Sequence, residues 1–387
     1  MFSDGYFSLP DNLTSLYNEY RYGISLIDKD ECRQEETPCM AAGFSKHNVP
    51  QVIIRRWSED KNHVDWYNPV TREEKKERTI ASLYTEPLTG MKQYEMSAIS
   101  YLEGNFTSYS KDLYTENFVN LRTGRSLIRS MLLFLYLCNP VYQNNLIFAS
   151  EEMQMQFDLS QYSGKRLKTM QTALHSTYVS SMLKEILLDE FTLYDLEPVL
   201  LKTPPSKSFV LGGNPVIVSN PFLGKEIKTV PYYINSYLLK GTVIILPLSP
   251  DRAFCLYDKG SYSLESDVLS PDDTDIINRE EIYCSGEEYG IVTGCEKEYI
   301  EKLFSSIKGG VRKYGVYSRP DLFPFDVKLS VLGLKGQRVV MLRDFAHDVR
   351  AYDQAENGRL DIRKADSALD KRYEVFKKHF RDGVYTG

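Results

Sequence analysis

The sequence is sparing with the residues that staple or metallate a fold. Its 387 residues include six cysteines, five histidines and two tryptophans. That cysteine density is far below what small disulfide-dependent secreted domains use, so reduced thiols are expected. Cys32 and Cys39, like Cys284 and Cys295, lack the two-residue spacing of zinc knuckles, and no histidine pair stands beside them. No metal site and no cofactor are therefore predicted. Long apolar runs are missing too. The longest, from Ser130 to Cys138, is flanked by Arg129 and by Asn139-Pro140. It falls far short of the roughly 20 residues that span a bilayer. No membrane partner is expected. The opening MFSDGYFSLPDN has an acid where a secretory signal has basic residues, and no apolar stretch follows, so the chain is read as cytoplasmic. Excess charge of one sign is also absent. Lys and Arg number 47 against 53 Asp and Glu, a net charge of -6, which gives no global attraction for nucleic acid or anionic lipid. A polyanion site would have to be a local one.

Several standard catalytic signatures are absent as well. The sequence has no Gly-x-Ser-x-Gly elbow, no GxxxxGK[ST] phosphate loop and no GxGxxG. That removes the signatures of a serine hydrolase, a P-loop enzyme and a dinucleotide enzyme. Pro320-Asp321 followed by Asp326-x-Lys328 is too closely spaced to bridge the separate strands of a restriction-type core.

What is present is enough apolar sequence, 42%, to bury a large core. The periodicity predicts an α+β fold in which a helical half packs on a mainly antiparallel sheet formed after residue 205. Residues 1–45 read as an N-terminal extension, 46–308 as the main body and 309–387 as an appendage. Asn68-Pro69 marks a turn between two segments that could pair as a hairpin, with the charge run from Arg72 to Arg78 on its solvated edge. Apolar residues at three- and four-residue spacing predict helices over 91–113, 117–139 and much of 153–195. Thr203-Pro204-Pro205 breaks the helical texture. Short β-branched and apolar runs follow at 208–211, 216–219, 242–246 and 253–257, then a short strand and a helix near 297–307. Acids in 270–275 and at Glu280-Glu281 read as a solvated loop. A hairpin of 327–332 with 338–342 and a terminal helix over 365–381 complete the chain. That helix places Leu369, Tyr373, Phe376 and Phe380 on one face, a candidate surface for a protein partner.

The most unusual string is His47-Asn48-Val49-Pro50-Gln51-Val52-Ile53-Ile54-Arg55-Arg56-Trp57. Pro50 suits the first turn of a helix, which puts His47 just ahead of a helix N-terminus. A histidine there can act as an acid or base near neutral pH, or simply satisfy a cap or an interface hydrogen bond. Gln51, Arg55 and Arg56 can hold a phosphate, the arginines in bidentate fashion, or pair with acids. Asn214 and Ser249 each lie in a proline-containing turn beside an apolar strand. Such positions suit either a site or an ordinary Asx or Ser turn. Arg122, Arg125 and Arg129 share one helix face, to pair with acids such as Glu103 or to line a phosphate pocket, Arg125 included.

Three ordered motifs carry a family resemblance. The His47-x-Val49-Pro50-Gln51 string with Arg55-Arg56-Trp57, the FVLGGNPV segment from Phe209 to Val216, and LPLSPDRAF from Leu246 to Phe254 resemble the uncharacterised domain-of-unknown-function family 4238. The resemblance covers roughly residues 45–308 and implies a shared fold more directly than a reaction. The sequence departs from the family pattern at Gly212 and Gly213, which stand where the family usually has Ser and Asp before Asn-Pro. Occurrence of the family in microbial genomes is compatible with a role in conflict with phages. Together these readings lead to an effector directed at nucleic acid or a nucleotide, nuclease-like, with His47, Asn214 and Ser249 as catalytic candidates and Gln51, Arg55, Arg56 and Arg125 as phosphate holders. The alternative is a non-enzymatic binding or regulatory protein acting through its C-terminal helix, which the glycine departure favours.

Overall fold

Val243-Ile244-Ile245-Leu246-Pro247-Leu248-Ser249 shows no polar alternation, as expected of a strand covered on both faces. In the computed structural model these residues form β7 (Val243–Ser249), buried along its whole length. The structure describes residues 45–87, 103–104, 106–109, 111–112, 114–115, 122–137, 139, 193, 196–220, 241–285, 289–307 and 328–335. With β5 (Leu196–Lys202), β6 (Ile217–Ser219) and β8 (Arg252–Asp258), strand β7 makes a four-stranded antiparallel sheet ordered β5-β8-β7-β6. Alternation along β7 and β8 feeds two separate cores. Ile244, Leu246, Leu248, Phe254 and Leu256 face one, while Val243, Ile245, Ala253, Cys255 and Tyr257 face the other. The prolines sit where a ladder tolerates them: Pro198 on the edge strand β5, and Pro247 at the register shift between Pro247 and Ser249.

The first core is covered by two helices, the short α1 (Gln51–Ile54) and α2 (Arg122–Leu137). Ile53, Ile54 and the run from Leu127 to Leu135 supply the covering side chains. Pro50 stands just before α1, one position ahead of the first-turn place expected for it, and its carbonyl takes the amides of Ile53 and Ile54. Before it, β1 (Ser45–His47) pairs antiparallel with β4 (Thr85–Pro87). Between them runs the expected hairpin, β2 (His63–Asn68) and β3 (Glu73–Thr79). It is turned by Asn68, whose side-chain oxygen accepts the amides of Val70 and Thr71. Strand β10 (Ile291–Val292) joins the other side of β2. Reciprocal hydrogen bonds between Leu211 and Val292, at 2.9 and 2.8 Å, tie this sheet to the segment leading into β6.

The α+β class and the antiparallel sheet are as the sequence predicted. Two local expectations are corrected. The acidic stretch read as a solvated loop is α3 (Pro271–Ser285), and Asp273, Glu280 and Glu281 on it are buried. It opens with Pro271 at the first helical position and a reciprocal capping box. Ser270 Oγ accepts the Asp273 amide and Asp273 Oδ2 accepts the Ser270 amide, each at 3.1 Å. The sheet also begins earlier than expected, with β5 ahead of the Pro204-Pro205 spacer. Strand β11 (Leu332–Leu334) pairs with β9 (Tyr262–Leu264), and Leu329, Val331 and Leu332 are buried in the second core; the segment 338–342, expected to pair with 327–332, lies outside the described residues. The helix expected near 297–307 is α4 (Lys297–Ser305). No described helix is long and apolar enough to cross a membrane. The expected helices over 153–195 and 365–381, with Leu369, Tyr373, Phe376 and Phe380, lie outside the described residues, as do the N-terminal extension before residue 45 and most of 91–113.

Candidate functional site

His47 ends β1 and sits one turn before α1, so that residues 47, 51 and 55 rise along one side of the motif. The His47 Nδ1 atom lies 3.0 Å from the Leu83 carbonyl. A carbonyl can only accept, so Nδ1 carries the proton and Nε2 presents its lone pair. That lone pair takes a hydrogen bond from the Gln51 Nε2 amide at 2.7 Å, and the Gln51 oxygen in turn accepts one from the Arg55 Nη2 at 2.7 Å. The half-buried imidazole is held below its ordinary pKa chiefly by burial. Its hydrogen bond to Leu83 opposes the shift, and the Arg55 charge adds to it. The result is a neutral imidazole with a basic nitrogen, masked by an amide that an exposed arginine orients. Among the described residues no carboxylate pairs with Arg55.

The other predicted residues divide. Arg56 lies 3.8 Å over the Tyr114 ring, a stacked cation, and takes no part in the His47–Gln51–Arg55 chain of hydrogen bonds. Ser249 is buried and donates to Asp251 at 2.7 Å across the β7–β8 turn, the ordinary Ser-turn reading. Arg125 lies in α2; Arg129, a turn further on, is buried and donates to the Leu193 and Leu196 carbonyls, a core role.

Asn214 ends a segment whose backbone is gripped by side chains. Along α3, Asn278, Glu281 and Ser285 follow at three- and four-residue spacing and therefore share a face. Asn278 accepts the Val210 amide at 3.0 Å and donates to the Ser208 carbonyl at 2.8 Å. The Glu281 Oε2 accepts the Gly212 amide at 2.8 Å, and Ser285 Oγ accepts the Gly213 amide at 3.2 Å while donating to the Glu281 carbonyl at 2.8 Å. On the other side, the Tyr84 hydroxyl lies 3.1 Å from the Leu211 carbonyl and 2.8 Å from that of Gly290, and Asn139 donates to the Gly213 carbonyl at 3.0 Å. Both glycines are required by this grip. A Cβ on Gly212 would lie 2.0 Å from Ser285 Oγ, and one on Gly213 would lie 2.6 Å from the Tyr289 Cβ.

The two motifs converge here. Asn48, next to His47, donates its backbone amide to the Tyr84 carbonyl at 2.8 Å, and its side-chain nitrogen stands 3.4 Å from the Tyr289 hydroxyl. Tyr289 packs on Gly213 and edge-on against Tyr84, with ring centroids 6.1 Å apart. Among the described residues, the buried Asn48 Oδ1, Asn214 Oδ1, Glu281 Oε1 and both Glu280 carboxyl oxygens have no hydrogen-bond partner. Burial raises the Glu281 carboxyl well above the usual carboxylate range, partly countered by the Gly212 amide and reinforced by Glu280. Burial also pushes Glu280 up to about 9. Arg279, 3.6 Å away and beyond hydrogen-bond length, offsets little of it.

With the two motifs placed, comparison with known proteins is informative. A family model described as protein of unknown function (DUF4238) matches residues 46–289. The chain belongs to this family. The DUF4238 match takes in the His47 motif, the glycine turn and α3 as far as Tyr289, and it stops before β10, α4 and β11. No curated protein and no solved structure matches the chain. Among the described residues no group of three or more His, Cys, Asp or Glu is placed to hold a metal. Sequence reasoning singles out His47, Gln51, Arg55 and Asn214 as candidates, and gives no sign of Asn48, Tyr84, Glu281, Ser285 and Tyr289 beside them. The one usable signal is the Ser270-x-x-Asp273 capping pattern, which starts a helix and puts Glu281 on a defined face.

Proposed function

We propose that the His47–Gln51–Arg55 group acts on a phosphate ester of nucleic acid or a nucleotide, with His47 as acid and base and Arg55 as the phosphate holder. The observation that supports this reading best is the neutral His47, whose Nε2 lone pair is aimed at an amide tied to an exposed arginine that has no carboxylate partner among the described residues. An incoming phosphate competes for Arg55, which releases the Gln51 amide and uncovers Nε2. The imidazole then takes the proton of the attacking hydroxyl as the new P–O bond forms, and returns it to the leaving oxygen as the old bond breaks. Gln51 becomes a second donor to the phosphate. A role in conflict with phages would follow if the substrate proves to be foreign nucleic acid.

The test compares wild type, His47→Ala and Arg55→Ala on labelled RNA, single-stranded DNA, duplex DNA and nucleoside triphosphates, with and without divalent metal. His47→Ala should lower the rate by roughly 100-fold or more, and Arg55→Ala should mainly raise KM, by roughly tenfold. Wild type inert on every substrate would overturn the reading.

A second reading is favoured by the glycine turn. Neither Gly212 nor Gly213 has room for a side chain, so the Ser-Asp pair suggested by the family resemblance has no place in this packing. On that reading the chain binds a polyanion or a protein partner without cleaving it. Retained binding of a labelled strand by an inert wild type would select it.

A further inference from the structure

Among the described residues four non-glycine positions have a positive φ: Lys61, Arg72, Glu77 and Tyr84. The first three are exposed polar residues. Tyr84, at φ 51°, is a bulky aromatic only 5% exposed, and such a side chain takes this backbone conformation at a cost, held there by its surroundings. Its own ring supplies the hold. The hydroxyl reaches 2.8 Å to the Gly290 carbonyl and 3.1 Å to the Leu211 carbonyl, and the ring meets Tyr289 edge-on. The left-handed turn decides where two carbonyls point. In an extended strand successive carbonyls point to opposite edges, and Leu83 itself is extended, at φ -87° and ψ 136°. Around the turn at Tyr84 both carbonyls instead reach β1: that of Leu83 takes the His47 Nδ1–H at 3.0 Å, and that of Tyr84 takes the Asn48 amide at 2.8 Å.

We infer that Tyr84 is a positioning residue for His47. Its anchored ring keeps the backbone left-handed, and that turn aims the Leu83 carbonyl, which fixes the imidazole proton on Nδ1 and leaves Nε2 as the base. Without the Leu83 acceptor the ring is free to carry its proton on Nε2, where no lone pair then remains for an attacking hydroxyl. The consequence for catalysis rests on the phosphate reading of His47; the positioning itself does not. The segment of the glycine turn thus acts on His47 through Leu211 and the Tyr84 ring, although it supplies no atom to the His47–Gln51–Arg55 chain of hydrogen bonds.

The experiment records the histidine ring nitrogens by NMR in the full chain, made with isotope-labelled histidine, at mildly alkaline pH. His47→Ala identifies the His47 signals among those of the five histidines. In wild type they should show a proton on Nδ1 and a bare Nε2. Tyr84→Phe removes only the hydroxyl, and the Leu211 carbonyl keeps the Val292 amide at 2.8 Å, so the fold is expected to survive. Its His47 signals should average towards a mixture of the two tautomers, and on a phosphate substrate kcat should fall by roughly tenfold with KM unchanged. Ile245→Ala, in the other core, controls for lost stability and should keep the wild-type signals. A wild type whose proton is not fixed on Nδ1, or unaltered His47 signals in Tyr84→Phe, overturns the proposal. So does the same mixture in Ile245→Ala, or a Tyr84→Phe chain that cannot fold where Ile245→Ala folds, which makes the hydroxyl a general prop of the core. A wild type inert on every substrate defeats the phosphate reading and leaves the tautomer result standing.

Discussion

Asn278 serves the segment entering the glycine turn as a neighbouring strand would: its side-chain oxygen takes the Val210 amide at 3.0 Å while its nitrogen reaches the Ser208 carbonyl at 2.8 Å. One carboxamide thus satisfies a donor and an acceptor two residues apart, the pattern that a backbone partner supplies in a ladder. Replacing Asn278 by Leu leaves the buried Val210 amide unpaired and the half-buried Ser208 carbonyl with only the weak Cys295 thiol donor at 3.9 Å. A loss of about 2–4 kcal/mol is expected, read as a lower denaturant midpoint with an unchanged slope and as faster amide exchange at Val210. Unchanged exchange there would show that the carboxamide does not hold the segment.

A second prediction concerns the contact between Gly212 and Ser285. Gly212→Ala places a methyl group 2.0 Å from Ser285 Oγ and 2.9 Å from the Glu281 carbonyl. The hydroxyl can be removed but the carbonyl cannot, so Ser285→Ala should restore part of the stability. We expect the single Gly212→Ala change to destabilise by about 2–3 kcal/mol, and the double-mutant cycle to show a coupling of about 1 kcal/mol. Simple additivity in chemical denaturation would contradict the geometry.

The third prediction is a dependence of stability on pH with two limbs. His47 is held below its unfolded value of 6.5, so its contribution is fully present above that value and is lost as pH falls through the lower folded value. Glu280 behaves in the opposite sense. Its carboxyl rises from 4.5 to about 9, so its contribution is present below the unfolded value and declines as pH climbs towards the folded one. Glu280→Gln should reduce the slope of the alkaline limb, Glu281 sustaining the remainder, and gain on the order of a few kcal/mol over wild type near the alkaline end of the range. His47→Gln should flatten the acid limb. Denaturant midpoints followed from mildly acidic to mildly alkaline pH separate the two, and an alkaline slope undiminished in Glu280→Gln would show that Glu280 does not contribute to that limb.

Much of this fold is legible where burial and polarity agree. The β2–β3 hairpin follows from Asn68-Pro69, α2 from its apolar run stopped near Pro140, and β7 and β8 from continuous apolar sequence broken at Pro250-Asp251. Helix α3 escapes a periodicity reading because its inward face inverts the rule: Asp273, Asn278, Glu280 and Glu281 are buried, so no apolar stripe marks the period. Strand β5 is hidden because Glu197 and Pro198 interrupt its alternation, which an edge position tolerates. In the site, the spacing of His47, Gln51 and Arg55 is visible in sequence. The approach of Asn48 to Tyr289, separated by 241 residues, is not, since nothing local to either residue signals the other.

Strand β10 and the residues around β11 lie beyond residue 289, yet the first completes the sheet of β2 and the second inserts Leu329, Val331 and Leu332 into the core behind β7. Asp273 fastens this return, since the carboxylate that caps α3 also accepts the Ser330 amide at 2.7 Å. In this chain the stretch that the family model matches is therefore shorter than the stretch that closes the core. A chain cut at that boundary would leave the β2 edge and the outer face of β7 open to water, so the tail after residue 289 works as a built-in lining for the matched part.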